Sequence, residues 1–279
     1  MSGELAAVTL SIAAVAGARG TWSPCGLSMV SAINPLSERS RGYRYWLTAA
    51  WFIAGAVLGG AILGAGSAVL AFALRAVDHQ PVALWVAVLG CLVALAADRG
   101  LAGFHLPLHP RQVNELWLTR YRRWLYGAGF GLQIGVGFAT YIMTAATYLV
   151  VALAALNGSP ALALSAGLVF GLVRGLAVLL SARCRSAQAL RQLHRRLSNL
   201  EPVSLRLVMA AEALAAGALA YAAAAAAGAV AGTGSLLLAA LILLAGSPRL
   251  TRSSRLARSS RLAPASGIPR PDRQKVAAR

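Results

Sequence analysis

The sequence predicts an all-α polytopic membrane protein of about seven transmembrane helices, arranged as a 3+3 inverted repeat plus one C-terminal helix. Three observations predict it. Of 279 residues, 58% are hydrophobic and only 12% charged, against about half and about a quarter in soluble domains. The 28 glycines raise the apolar share further, beyond what a single water-facing surface can hide in a chain of this size. Third, the basic residues fall between long apolar runs rather than on one face, so the net charge of +18 reports topology and not a nucleic-acid partner.

A helix needs about 20 apolar residues to cross a bilayer, and six runs qualify: Ala6 to Ile33, Trp46 to Leu74, Pro81 to Ala97, Leu125 to Leu156, Ala161 to Ser181 and Leu205 to Val230. Beyond them the apolar stretch continues past Gly232-Thr233-Gly234 to Ala245. One helix from Leu205 to that point is about 60 Å long, twice the hydrocarbon thickness. A turn at the glycines and a short seventh span resolve the excess. The first run has Glu4 and no Lys or Arg ahead of it, unlike a signal peptide, so it is read as a span that stays.

Charge placement orients the spans. With the N-terminus outside, the inner loops hold Arg39, Arg41 and Arg44, then Arg99, Arg111, Arg120, Arg122 and Arg123, then Arg183, Arg185, Arg191, Arg195 and Arg196, whereas the outer loops hold only Arg75. Seven crossings place the nine Lys and Arg residues from Arg249 to Arg279 inside as well, as the positive-inside rule asks. The expected organisation is a first three-helix repeat at residues 1–104, a cytoplasmic interfacial segment at 105–124, a second three-helix repeat at 125–231 with an inner loop at 182–204, a seventh span at 232–247 and a disordered basic cytoplasmic tail at 248–279. The expected location is the plasma membrane, multi-pass, with the N-terminus outside and the C-terminus cytoplasmic.

Two inner segments carry amphipathic spacing. Val113, Trp117, Tyr121 and Trp124 recur at helical intervals beside arginines, as do Leu190, Leu193, Leu197 and Leu200, and both are expected to lie on the cytoplasmic leaflet. The tail repeats Ser-Ser-Arg-Leu-Ala at residues 253–257 and 259–263. Its charges are drawn to anionic lipid by roughly 1 kcal/mol each.

Spans one to three and four to six cross in opposite senses, the arithmetic of an inverted repeat, and the first span of each half is long and interrupted by Gly or Pro. Pro24 removes a backbone donor and pushes its neighbour out of helical geometry. Freed backbone groups in lipid must face protein or a water-lined cavity, so the break at Arg19 to Gly26 is expected to face the bundle interior. Gln133, Thr140, Tyr141, Thr144, Thr147 and Tyr148 on span four form a candidate opposite wall of a substrate pathway, or a helix-packing surface.

Three charges fall within spans: Arg19, Arg174 and Glu212. Arg174 and Glu212 each lie seven residues from the inner end of adjacent spans, about 10 Å deep, and are expected to form a structural ion pair. Arg19 has no partner visible in the sequence and is a candidate for an anionic group. His105 and His109 are separated by Pro107 and lack the further ligands that a metal site needs, so no metal and no cofactor is expected. No GxSxG, phosphate loop or paired catalytic carboxylates appear.

The stretch Trp22-Ser23-Pro24-Cys25-Gly26-Leu27-Ser28-Met29 resembles the Ser-Pro-Cys-x-x-Pro-Met type of motif of the CcdA/DsbD transmembrane family of thiol-disulfide electron carriers. The resemblance implies that Cys25 is a redox thiol on a helix broken by Pro24, and that a thioredoxin-like protein is a partner. At the aligned position for a second cysteine this sequence has Val136. The expected function is transfer of reducing equivalents across the membrane, or a divergent use of that scaffold. The alternatives are a LysE-like small-solute exporter working by alternating access and a membrane assembly or scaffold subunit.

Overall fold

The computed structural model describes residues 3–75, 80–101 and 122–227, all within one unit, Met1–Gly246. Every regular element among them is helical. In chain order they are α1 (Gly3–Arg19), a 3-10 turn (Gly20–Trp22), α2 (Pro24–Ala32), α3 (Pro35–Ser40), α4 (Tyr45–Leu74), α5 (Gln80–Arg99), α6 (Arg123–Val136), α7 (Ala146–Leu156), α8 (Pro160–Leu176) with a 3-10 extension (Ala177–Ser181), and α9 (Ala187–Ala227). Five helical stretches, Gly3–Trp22, Tyr45–Leu74, Val82–Arg99, Pro160–Ser181 and Ala187–Ala225, are long and apolar enough to cross a membrane. The chain is a multi-pass helical membrane protein. The interfacial helix expected around Trp117, His105 and His109, the seventh span at 232–247 and the basic tail lie outside the described residues.

Helix starts repeat one local device. Ser23-Pro24, Asn34-Pro35 and Ser159-Pro160 each place a polar cap ahead of a proline at the first helical position. The side chains accept from the amides of Gly26 (3.0 Å), Ser37 (2.9 Å) and Leu162 (3.4 Å). Proline costs nothing there, because that amide has no partner within the helix in any case.

The helices pack through glycine. Gly60 on α4 lies so close to Gly167 and Gly171 on α8 that any Cβ would strike their backbone, and Gly135 on α6 stands in the same relation to Ala56 of α4. Helix α4 is thus held backbone to backbone between α6 and α8, the contact that small residues permit between transmembrane helices. Its outward side chains, among them Leu58, Ile62, Val69 and Phe72, are exposed. Apolar residues on both the packed and the open sides mark a helix whose solvent is lipid.

Three pairs of helices sit side by side: α4 with α8, α5 with α9, and α1 with the shorter α7. The cross-pairs come in twos as well, α1 on α8 with α4 on α7, and α1 on α9 with α5 on α7.

The inner loop expected at 182–204 is mostly helix. From Ala187 the chain runs unbroken through Pro202 into the membrane-crossing part of α9. Leu190 and Leu193 pack against the cluster around Cys25, Met29 and Val30 of α2, and Leu197 is buried. Leu190, Leu193 and Leu197 cover a protein surface, whereas Leu200 is exposed. Trp22 Nε1 donates to the Leu197 carbonyl (2.8 Å) and Ser31 Oγ meets His194 Nε2 (3.0 Å), which fixes the extension to α2.

Candidate functional site

The helices are broken at two places, between α1 and α2 and between α6 and α7, and polar residues from both breaks are buried inside the bundle. In span one, α1 ends at Arg19, the chain makes a 3-10 turn, and α2 starts afresh at Pro24. Ser23 serves both sides of this turn: its hydroxyl accepts from Gly26 N and donates to the Gly20 carbonyl (2.7 Å). Glycine is required at position 26, where a Cβ would overlap the Gly20 and Thr21 carbonyls.

At the second break, α6 ends at Gly137, whose φ of 77° lies in the left-handed region, and residues 138–145 run without regular helix to the start of α7 at Ala146. The N-cap residue, Ala145, has no side chain to cap α7, and Thr144 Oγ1 accepts from the Ala146 amide (3.2 Å). A second acceptor comes from another helix. Asp98, near the end of α5, accepts from the Ala145 amide (2.6 Å) through Oδ1 and from the Thr144 hydroxyl through Oδ2. A carboxylate at a helix N-terminus satisfies amides that have no intrahelical partner and complements the helix dipole.

Arg19 joins the two breaks. Its side chain is 2% exposed, and Nη1 donates to Ser204 Oγ on α9 (2.7 Å). Asp98 and Glu201 both lie within electrostatic reach of the guanidinium. The last residue of α1 therefore answers the carboxylate that caps α7.

The other expected residues divide. Thr144 is in this layer. Thr140 is buried and its hydroxyl donates to the Gly137 carbonyl (3.3 Å), which steadies the turn after α6. Tyr141 packs on the cluster around Cys25. Gln133 is half-buried on α6.

Arg174 and Glu212 do not form the expected ion pair. The Arg174 guanidinium lies against Gly20 at the first break and over the Phe170 ring, 5.3 Å from its centroid. Glu212 is fully buried and neither carboxylate oxygen has a hydrogen-bond partner. Equal depth from the inner surface put both residues at one level, but Arg174 points from α8 towards the α1 turn and so away from the α5–α9 contact.

Cys25 follows Pro24 in the first turn of α2 and is 1% exposed. Cys91 and Cys184 are buried as well, and no disulfide joins the three. Burial pushes the Cys184 thiol above its usual range, away from the thiolate that thiol exchange requires.

Three residues that the sequence reading passed over prove central. Asp98 stands one residue beyond an apolar run and beside Arg99, so it reads as the start of a loop. Ser204 follows Pro202 in a polar stretch. Glu38 was hidden among the arginines of an inner loop, yet it is fully buried, with hydrogen bonds from Thr48 (2.5 Å) and Tyr126 (2.7 and 2.8 Å) and a salt bridge to Arg41 (3.0 Å). It ties α3 to α4 and α6. The available signal was a lone Glu three residues before an Arg, after an Asn-Pro helix start.

No protein-family model and no solved structure matches the chain. Curated relatives do. One from Paracoccus versutus is 31% identical over 176 residues, covering 62% of this chain and 64% of the relative. One from Paracoccus denitrificans is 31% identical over 175 residues (62% and 63%), and one from Methylophilus methylotrophus 32% identical over 187 residues (64% of each). All three are called methylamine utilization protein MauF. The chain spans a little under two thirds of their length.

This corrects the resemblance drawn from the Cys25 motif. The relatives carry a different name from the CcdA/DsbD carriers, so neither transfer of reducing equivalents with a thioredoxin-like partner nor a LysE-like exporter stands. The local structure explains why the motif misled. Ser-Pro before Cys25 is the helix-start device that recurs at Asn34-Pro35 and Ser159-Pro160, where no cysteine follows.

Proposed function

We propose that the chain is a membrane-embedded accessory protein of methylamine utilisation, and that the layer joining the two helix breaks is its working part. The similarity to the MauF proteins carries the first half of this reading. The second half is supported by two hydrogen bonds, Ala145 to Asp98 and Arg19 to Ser204, with Asp98 and Arg19 within electrostatic reach of each other, which together draw on α7, α5, α1 and α9. Ionisable groups inside a membrane protein are costly unless they are used or paired.

We also propose the finer architecture. Reflecting α1/α2, α4 and α5 onto α6/α7, α8 and α9 maps the pairs α4–α8, α5–α9 and α1–α7 onto themselves, and α1–α8 and α1–α9 onto α4–α7 and α5–α7, in keeping with an inverted repeat. Broken helices lead both halves. Arg183, Arg185, Arg191, Arg195 and Arg196 are all exposed, in keeping with a cytoplasmic location for that end of the bundle. A seventh span then leaves the C-terminal tail on the same side, where its basic residues meet anionic lipid of the plasma membrane. Arg19, Thr140, Tyr141 and Thr144 belong to the polar interior, with Gln133 at its margin.

The test is complementation. Expressed in Paracoccus denitrificans lacking its own MauF, the chain restores growth on methylamine and has no effect on growth with methylamine omitted. Failure to restore growth, with the chain present in the membrane fraction, contradicts the proposal.

A further inference from the structure

Among the described residues two glutamates are wholly buried, and their surroundings differ. Glu38 receives hydrogen bonds on both oxygens and a salt bridge. Glu212, equally buried, receives none on either oxygen. A carboxylate left so in an apolar interior is costly, and native structures nearly always supply a partner. Among the described residues, the ionisable groups within electrostatic reach of Glu212 are Asp98 and Cys91; neither is hydrogen-bonded to it and neither carries positive charge.

The position is built rather than accidental. Cys91 and Asp98, seven residues apart, share one face of α5, and Ser204 and Glu212, eight apart, share one face of α9. The two helices pack together. Glu212 thus lies about 10 Å further along the same interface from the part-buried Asp98. The residues one turn to either side of it on α9, Val208, Met209, Ala215 and Ala216, are buried and apolar, and Leu95 of α5 packs in one cluster with Met209.

We propose that Glu212 and these walls bind one small organic ammonium cation of the methylammonium class. Its N–H groups donate to the two unpartnered oxygens and its alkyl group meets the apolar walls. A hard metal ion suits the position poorly, since it takes six or more oxygen ligands, and no group of three His, Cys, Asp or Glu suited to a metal occurs among the described residues. Asp98 supplies a second negative charge along the path, which raises the local cation concentration. The choice of methylammonium rests on the methylamine-utilisation reading; the unfilled acceptor does not.

The experiment measures equilibrium binding of radiolabelled methylammonium to the full chain purified in lipid nanodiscs. The expected result is saturable binding of one cation per chain, displaced by ethylammonium and not by the same concentration of sodium. E212Q weakens it at least tenfold, E212D retains it, and D98N weakens it several-fold. Absence of saturable binding to the unmodified chain overturns the site, as does E212Q binding like the unmodified chain or equal displacement by sodium. The first of these is the outcome if Glu212 merely holds a proton. A chain that complements growth but does not bind removes the site alone, and one that binds but does not complement removes the functional reading alone.

Discussion

The two helix breaks do the same job by opposite means. The first is short and self-sufficient: three residues of 3-10 turn, with Ser23 capping the new helix and tying back to Gly20. The second is long and dependent. Eight residues separate Gly137 from Ala146, and the amides that open the new helix are shared between Thr144 of the break and Asp98 on a different element. A self-capped break is a local property of the sequence. One capped from elsewhere ties the helix end to the position of α5, so that movement of either shifts the other.

This difference ranks the effects of mutation. D98A has the largest, because it removes the acceptor for Ala145 and Thr144 and takes away one of the two acids near the buried Arg19 guanidinium; a loss of about 3 kcal/mol follows. Thermal unfolding in detergent measures it. D98N, which keeps a side-chain oxygen for Ala145, loses roughly half as much. If D98A unfolds like the unmodified chain, the second break is held by its own residues and the contrast fails.

G137A comes next. An L side chain in the left-handed region costs about 1–2 kcal/mol, and its Cβ would also press on the Phe170 ring at 3.0 Å. S23A is the smallest at about 1 kcal/mol, the usual value of a helix N-cap. Its effect stays local: hydrogen exchange speeds up at Gly26 and its neighbours and is unchanged around Ala145. Faster exchange at both breaks with S23A overturns the independence of the first.

The same contrast explains what could be read from the sequence. Apolar runs, arginine placement and the Pro24 break are local signals, and the helical membrane bundle and the interrupted first span followed from them. Thr144 was placed in the interior by its span alone. The Arg174–Glu212 pair failed because depth along two helices says nothing of rotation about them. Asp98 and Ser204 were missed for a related reason, since each sits where an apolar run meets a polar one and acquires its role only through a helix distant in sequence. The leucines from Leu190 to Leu197 have the spacing of a surface helix whether lipid or α2 covers them.

The most direct test of the central claim is growth on methylamine of a Paracoccus denitrificans strain lacking its own MauF and carrying D98N, with membrane levels of the variant matched to the unmodified chain. If the layer joining the two breaks is the working part, the unmodified chain restores growth and D98N does not. Full restoration by D98N at matched levels contradicts the claim.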